Sequence, residues 1–189
     1  MKVTLVIPDN ENVDIVINKI TRDDFDLENM DSYCKKKNGG VEITNFFSKK
    51  MKVSDTIRAI VQTDKTGKIK EAPSFGDWKV SKYSTYKTIV VILESPHKDE
   101  YCLDGNYILH PCFPVNSKGT RTRIETQLRR ICEPMNLCIN AKYRVIFCNP
   151  IPYQCSLWHL ISKGDTDSLN RDVRNRVWRS LWNKETIGS

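Results

Sequence analysis

Apolar and polar positions divide the chain into two differently patterned stretches. Residues 2–7 (KVTLVI) and 13–17 (VDIVI) are β-branched runs separated by PDNEN, a cluster of turn formers, and together they predict a β-hairpin. Residues 21–37 (TRDDFDLENMDSYCKKK) place acids early and lysines late and lead into Asn38-Gly39-Gly40. That distribution complements a helix dipole and ends on a glycine stop, so it predicts a helix. VEITNFF (41–47) predicts another strand. Ser54 caps a short predicted helix whose apolar positions are Ile57, Ile60 and Val61, and residues 63–82 have neither period and read as a linker or long surface loop.

The second stretch opens with TIVVIL (88–93), a continuous apolar run bounded by polar residues, the form of a strand buried on both faces in a parallel sheet. After an irregular segment, TRIETQLRRIC (122–132) predicts a helix with Thr122 and Glu125 as a capping-box pair and Ile124, Leu128 and Ile131 on its apolar face. YRVIFC (143–148) predicts a second buried strand and SLWHLI (156–161) a helical turn. SLNRDVRNRVWRSLWN (168–183) predicts a helix, with Leu169, Val173, Val177 and Leu181 four apart. This order of elements predicts an α/β core over residues 83–189 with right-handed crossovers, preceded by an N-terminal α+β extension and linker over 1–82.

Composition narrows the class. A chain of 189 residues with 39% apolar and 28% charged residues has the length of one medium domain, and its composition excludes a disordered or fibrous protein. No apolar run approaches the roughly 20 residues of a bilayer span, and MKVTLVIPDNENVD turns acidic too early for a signal peptide, so the expectation is no membrane and a cytoplasmic location. The seven cysteines lack any C-x-x-C pair, which predicts reduced, mostly buried thiols and neither a metal nor another cofactor. Residues 1–117 carry 17 basic against 17 acidic side chains, whereas 118–189 carry 13 against 6. The whole positive excess therefore lies in the C-terminal portion, as a solvated basic face or as a surface for a polyanion such as nucleic acid.

In an open parallel sheet, ligands sit outside the carboxyl ends of the strands. The first apolar run leads into Glu94-Ser95-Pro96-His97-Lys98-Asp99-Glu100, dense in titratable groups, and the second into Asn149-Pro150-Ile151-Pro152. Glu94 or Asp99 is suited to hold or deprotonate a water and His97 to hydrogen-bond an oxyanion or leaving group. Asn149 places a carbonyl acceptor beside an amide donor, the complement of a pyrimidine edge. The structural alternative is that Glu94 and Asn149 satisfy backbone donors in turns before proline.

These residues resemble the uracil-DNA glycosylase superfamily over about residues 86–183. VVILESPHKDE is similar to its first motif, G-Q-D-P-Y-H or, in another branch, G-E-A-P-G-x-x-E; Glu94, Ser95, Pro96 and Glu100 match the latter. PCFPV resembles G-L-C-F-S-V, which puts Phe113 where the family stacks an aromatic on the base. YRVIFCN resembles the strand whose Asn reads uracil, here Asn149, and RDVRNRVWRSLWN the amphipathic helix that follows. The resemblance implies a three-layer parallel-sheet core with Glu94 and His97 at the reaction centre, and the positive excess of the C-terminal portion then assigns DNA to Arg121, Arg123, Arg129, Arg130 and Arg174. His97 replaces the Gly of one branch, the water-activating Asp of the other has no counterpart, and His110-Pro111 precedes the crossover helix where the family's H-P-S-P motif would follow a later strand. The four spaced cysteines of the iron–sulfur branch are not present, so no cluster is expected. The chain ends after its last helix, which reads as a fragment or shortened relative, or an incomplete catalytic set.

Three readings stand at this point. The first is a glycosylase-like enzyme that binds DNA and a flipped base. The second is a non-catalytic relative acting as a nucleic-acid, free-base or nucleotide sensor or interaction protein. The third is a metal-dependent phosphoesterase built on Glu94, His97, Asp99 and Glu100.

Overall fold

The computed structural model describes residues 1–8, 12–18, 20–112, 118–161 and 167–183, apart from the side chains of 118–122 and 167–170. The chain is mixed α/β and forms two compact units, one made of Met1–Val53, Ser95–Phe113 and Pro150–Ser189, the other of Ser54–Glu94 and Pro114–Asn149. The segments 1–82 and 83–189 each contribute to both.

In the first unit, β1 (Lys2–Leu5) and β2 (Val13–Val16) pair antiparallel, the hairpin that their β-branched runs predict. The helix expected over 21–37 does not form. Arg22–Asp24 makes one 3-10 turn, and the lysines belong to β3 (Cys34–Lys37), antiparallel to β4 (Gly40–Ile43). Asn38-Gly39 is thus a hairpin turn and not a helix stop, the usual meaning of that pair between strands. Gly40 has a separate role: a Cβ there would meet the Lys2 carbonyl oxygen at 2.2 Å, so glycine permits the parallel pairing of β1 with β4 and the order β2-β1-β4-β3.

Val3, Leu5, Val41 and Ile43 from this sheet join Val173, Val177 and Leu181 of α2 (Asp167–Trp182) in one buried core. Residues 156–161 contain only a 3-10 turn, Trp158–Leu160. A small hairpin of β8 (Tyr101–Leu103) and β9 (Leu109–Pro111) lies in the segment expected to be irregular, and a disulfide joins Cys102 to Cys112. This corrects the expectation of reduced thiols throughout. The two cysteines come together because the hairpin folds them there, with their Cα atoms 5.6 Å apart, which spacing along the chain does not reveal.

The second unit holds a four-stranded sheet in which Ser74–Lys79, Thr56–Gln62, Lys142–Cys148 and Lys87–Ile92 follow one another in that order. β5 (Thr56–Gln62, TIRAIVQ) replaces the predicted short helix, and β6 (Ser74–Lys79) lies in the presumed linker. β-Branched residues at four of seven positions explain the first difference. β7 (Lys87–Ile92) and β10 (Lys142–Cys148) are parallel neighbours, connected through α1 (Lys118–Cys132), whereas β5 is antiparallel to β10.

Ile124, Leu128 and Cys132 of α1 pack with Ala59, Val61, Ile89, Val145 and Phe147. β7 is an edge strand, not one buried on both faces: Val90 and Ile92 are 52% and 70% exposed. Because α1 begins at Lys118, Thr122 and Glu125 lie inside the helix and not at its start. Glu125 instead accepts from the buried guanidinium of Arg58, Nη2 to Oε1, at 2.6 Å.

Candidate functional site

The parallel pairing of β7 and β10 runs from Tyr143 opposite Lys87 to Cys148 opposite Ile92, and the Leu93 N–H donates to the Cys148 carbonyl at 2.8 Å. Both strands therefore end together, and the next residues are Glu94 and Asn149. Glu94 is exposed, Asn149 buried at 8% exposure. Two residues beyond Phe147, Asn149 shares that residue's face of the sheet by strand alternation. Thr56, directly across from Phe147, belongs to the same face.

The Asn149 side-chain amide oxygen, Oδ1, and the Thr56 hydroxyl are both buried and have no hydrogen-bond partner among the described residues. Two orphaned polar atoms at one strand end are unusual, because each buried polar group left unsatisfied costs about 1–3 kcal/mol. Cys148, between Phe147 and Asn149 and so on the opposite face, meets Asp55, and burial, with that carboxylate, raises its thiol above the ordinary range.

His97 belongs to the first unit and has a structural task. It caps the 3-10 turn Lys98–Glu100: its Nδ1 accepts the Asp99 N–H at 3.3 Å, and its own N–H donates to the buried Glu100 carboxylate at 2.8 Å. Burial holds the imidazole below its usual range, against the pull of Asp99. Glu100, the counterpart of the motif's final acid, is thus spent in a capping box. Among the described residues no group of three His, Cys, Asp or Glu side chains converges, so the phosphoesterase reading finds no assembled ligand set.

Phe113 and the side chain of Arg121 lie outside the described residues. Arg123 is exposed near the start of α1, while Arg129 and Arg130 are exposed in its last turn. A crossover helix runs back antiparallel to its strands, so the start of α1 lies toward the Asn149 end of the sheet and its last turn, with Arg129 and Arg130, toward the other end. Arg123 precedes Arg129 by six residues, about 9 Å along the helix axis. Within this unit Arg123, Arg129 and Arg130 are spread along the helix, with Arg129 and Arg130 in the turn farthest from its start. Arg174 is half-buried on α2 in the first unit, with Nη2 3.5 Å from the Asn175 side-chain oxygen.

Two features had no sequence signal. Gln154 is 1% exposed, and neither atom of its side-chain amide has a partner among the described residues. Cys138 is exposed, and hydrogen bonds from Tyr143 and Lys87 lower its thiol below the ordinary range. Both depend on long-range packing that residue spacing does not encode.

No described helix is long and apolar enough to cross a membrane. Comparison with protein-family models, with curated proteins and with solved structures yields no match.

Proposed function

We propose that the chain is a nucleic-acid-binding protein that takes one unstacked base at the carboxyl ends of β7 and β10, in the manner of the uracil-DNA glycosylases its sequence resembles. The observation that carries this reading is Asn149, buried at the end of a parallel strand pair with an unused carbonyl acceptor. A pyrimidine ring N–H satisfies that acceptor while the amide N–H₂ meets the adjoining carbonyl. The Thr56 hydroxyl offers a second polar contact, and exposed Arg123, in the half of α1 nearer that end, a phosphate contact. A uracil-DNA glycosylase core has three layers; the reading rests on the part of it present in this unit, the parallel pair and its crossover helix.

Base hydrolysis is the second reading. Glu94 favours it, being exposed beside Asn149's strand end, where a carboxylate can orient water. His97 weighs against it, since its Nδ1 is engaged in capping.

The test is fluorescence anisotropy of single-stranded oligonucleotides carrying one uracil or one cytosine, over a salt series. Wild-type protein is expected to prefer uracil, and Asn149→Asp, which replaces the amide donor by acceptors, to reverse the preference by about 1–3 kcal/mol. Arg123→Gln should reduce the log–log salt slope by about 0.7, the value for one single-strand phosphate contact. Equal binding of both strands by both proteins sinks the base-reading proposal. Release of free uracil, abolished in Glu94→Gln, separates the hydrolytic reading from binding alone.

A further inference from the structure

At the end of the second unit's sheet opposite Asn149 lies a cavity of about 610 Å³. Lys68 and Ile69 line it from the loop that follows β5; Arg129, Arg130, Asn136 and Leu137 line it from the last turn of α1 and the segment beyond. The loop is held in shape. The Asp64 carboxylate accepts from the Thr66 N–H, the Thr66 hydroxyl and the Lys68 N–H at 2.7, 2.7 and 3.1 Å, and Thr63 bridges to Ile69. Gly67 has φ of +80°, and a Cβ there would meet the Leu137 carbonyl oxygen at 2.6 Å, so glycine lets the two walls approach.

The charge inside is unbalanced. Three cations face one acid of the lining, Glu133, and among the described residues none of the three makes an ion pair. Asp64, close to Lys68, is already committed to the loop. Adjacent arginines offer planar, multidentate donor sets that suit a phosphate, and lysine adds a point charge. Ile69 and Leu137 are half-buried apolar surfaces joined to the unit's core, and Asn136 supplies an amide able to meet a polar ring edge. The volume falls within the roughly 300–1,000 Å³ of small-molecule sites.

We propose that this cavity binds a mononucleotide-sized phosphate ester, with its phosphate on Arg129, Arg130 and Lys68 and its ring against Leu137 and Ile69. The site is separate from the base-reading end of the sheet and does not depend on that function. The phosphate ester has two chemical sources, a free nucleotide or the phosphorylated end of a nucleic-acid strand.

Calorimetric titration of the full chain with adenosine diphosphate, inorganic pyrophosphate and adenosine tests it. Adenosine diphosphate is expected to bind at a single site, with pyrophosphate and adenosine each weaker by about tenfold or more, because each lacks one half of the ligand. The Arg129→Gln/Arg130→Gln variant should lose about tenfold or more in affinity for adenosine diphosphate. Both side chains are exposed, and an unchanged thermal transition checks that the variant is folded. No saturable binding at millimolar nucleotide, unchanged affinity in the double variant, or pyrophosphate or adenosine equal to adenosine diphosphate overturns the proposal. Displacement by a 5′-phosphorylated oligonucleotide but not by its 5′-hydroxyl form identifies a strand end as the source. Displacement by neither identifies the free nucleotide, and equal displacement by both overturns the phosphate assignment.

Discussion

Arg58 has no exposed surface, yet all three guanidinium nitrogens are engaged: Nη1 donates to Asp77 at 2.6 Å and to the Gly76 carbonyl at 3.2 Å, and Nε and Nη2 donate to Glu125 at 3.2 and 2.6 Å. It sits where the β5 register shifts, between Ile57 and Ala59, and this irregularity aims a charged side chain inward. The partners are unequal. Arg58 is completely buried, while Asp77 and Glu125 keep 46% and 23% of their side-chain surface exposed. Removing a carboxylate leaves a buried cation short of a partner; removing the arginine leaves carboxylates that can rehydrate. Glu125→Leu is therefore expected to cost about 3–5 kcal/mol, and Arg58→Met distinctly less. Urea denaturation with a constant slope measures both, and a larger loss for Arg58→Met contradicts the argument.

Among the elements, the β8–β9 hairpin shows how little three-residue strands hold alone. Its ladder pairs Tyr101 with Pro111, Cys102 with His110 and Leu103 with Leu109, and the disulfide closes a loop with a sequence separation of 10. Such a loop closure is worth about 2–3 kcal/mol in the chain-entropy account. Cys102→Ser/Cys112→Ser, or reductant on the wild type, is expected to lower stability by that amount in chemical denaturation. Reductant should then have no effect on the double variant. The same scale explains two misread segments. TIRAIVQ shows an apolar spacing compatible with a helical turn, but its β-branched content favours the strand it forms, and KKK before Asn-Gly is a strand because the turn pairs it with GVEI.

At the scale of the whole molecule, proton linkage sets the working range. Burial holds both His97 and His159 below the usual imidazole value of 6.5, so below that pH the unfolded chain binds protons that the folded chain resists. On the acid side, stability should fall as the pH drops below 6.5, well before the lowered carboxyls of Asp14 and Asp64 lose their contributions below about 3.8; on the alkaline side it should fall again as the pH rises through 9, because burial holds the thiols of Cys34, Cys132 and Cys148 protonated in the folded chain. Thermal melts should show a lower transition at about pH 5.5 than at about pH 7.5, with a smaller difference in His159→Gln; an equal difference in that variant removes His159 from the account. The periodic helices α1 and α2, the apolar runs of β7 and β10 and their order were legible in the sequence, because each rests on a local period of 3.6 or an unbroken apolar stretch. So was Asn149 as a residue that follows a strand. Tertiary structure alone decided that β7 is an edge strand, that Glu125 serves Arg58, that Cys102 meets Cys112, and that Arg129 and Arg130 stand at the far end of the sheet from Asn149. Each of these depends on which distant segments come together, and a local pattern of apolar and polar residues does not carry that information.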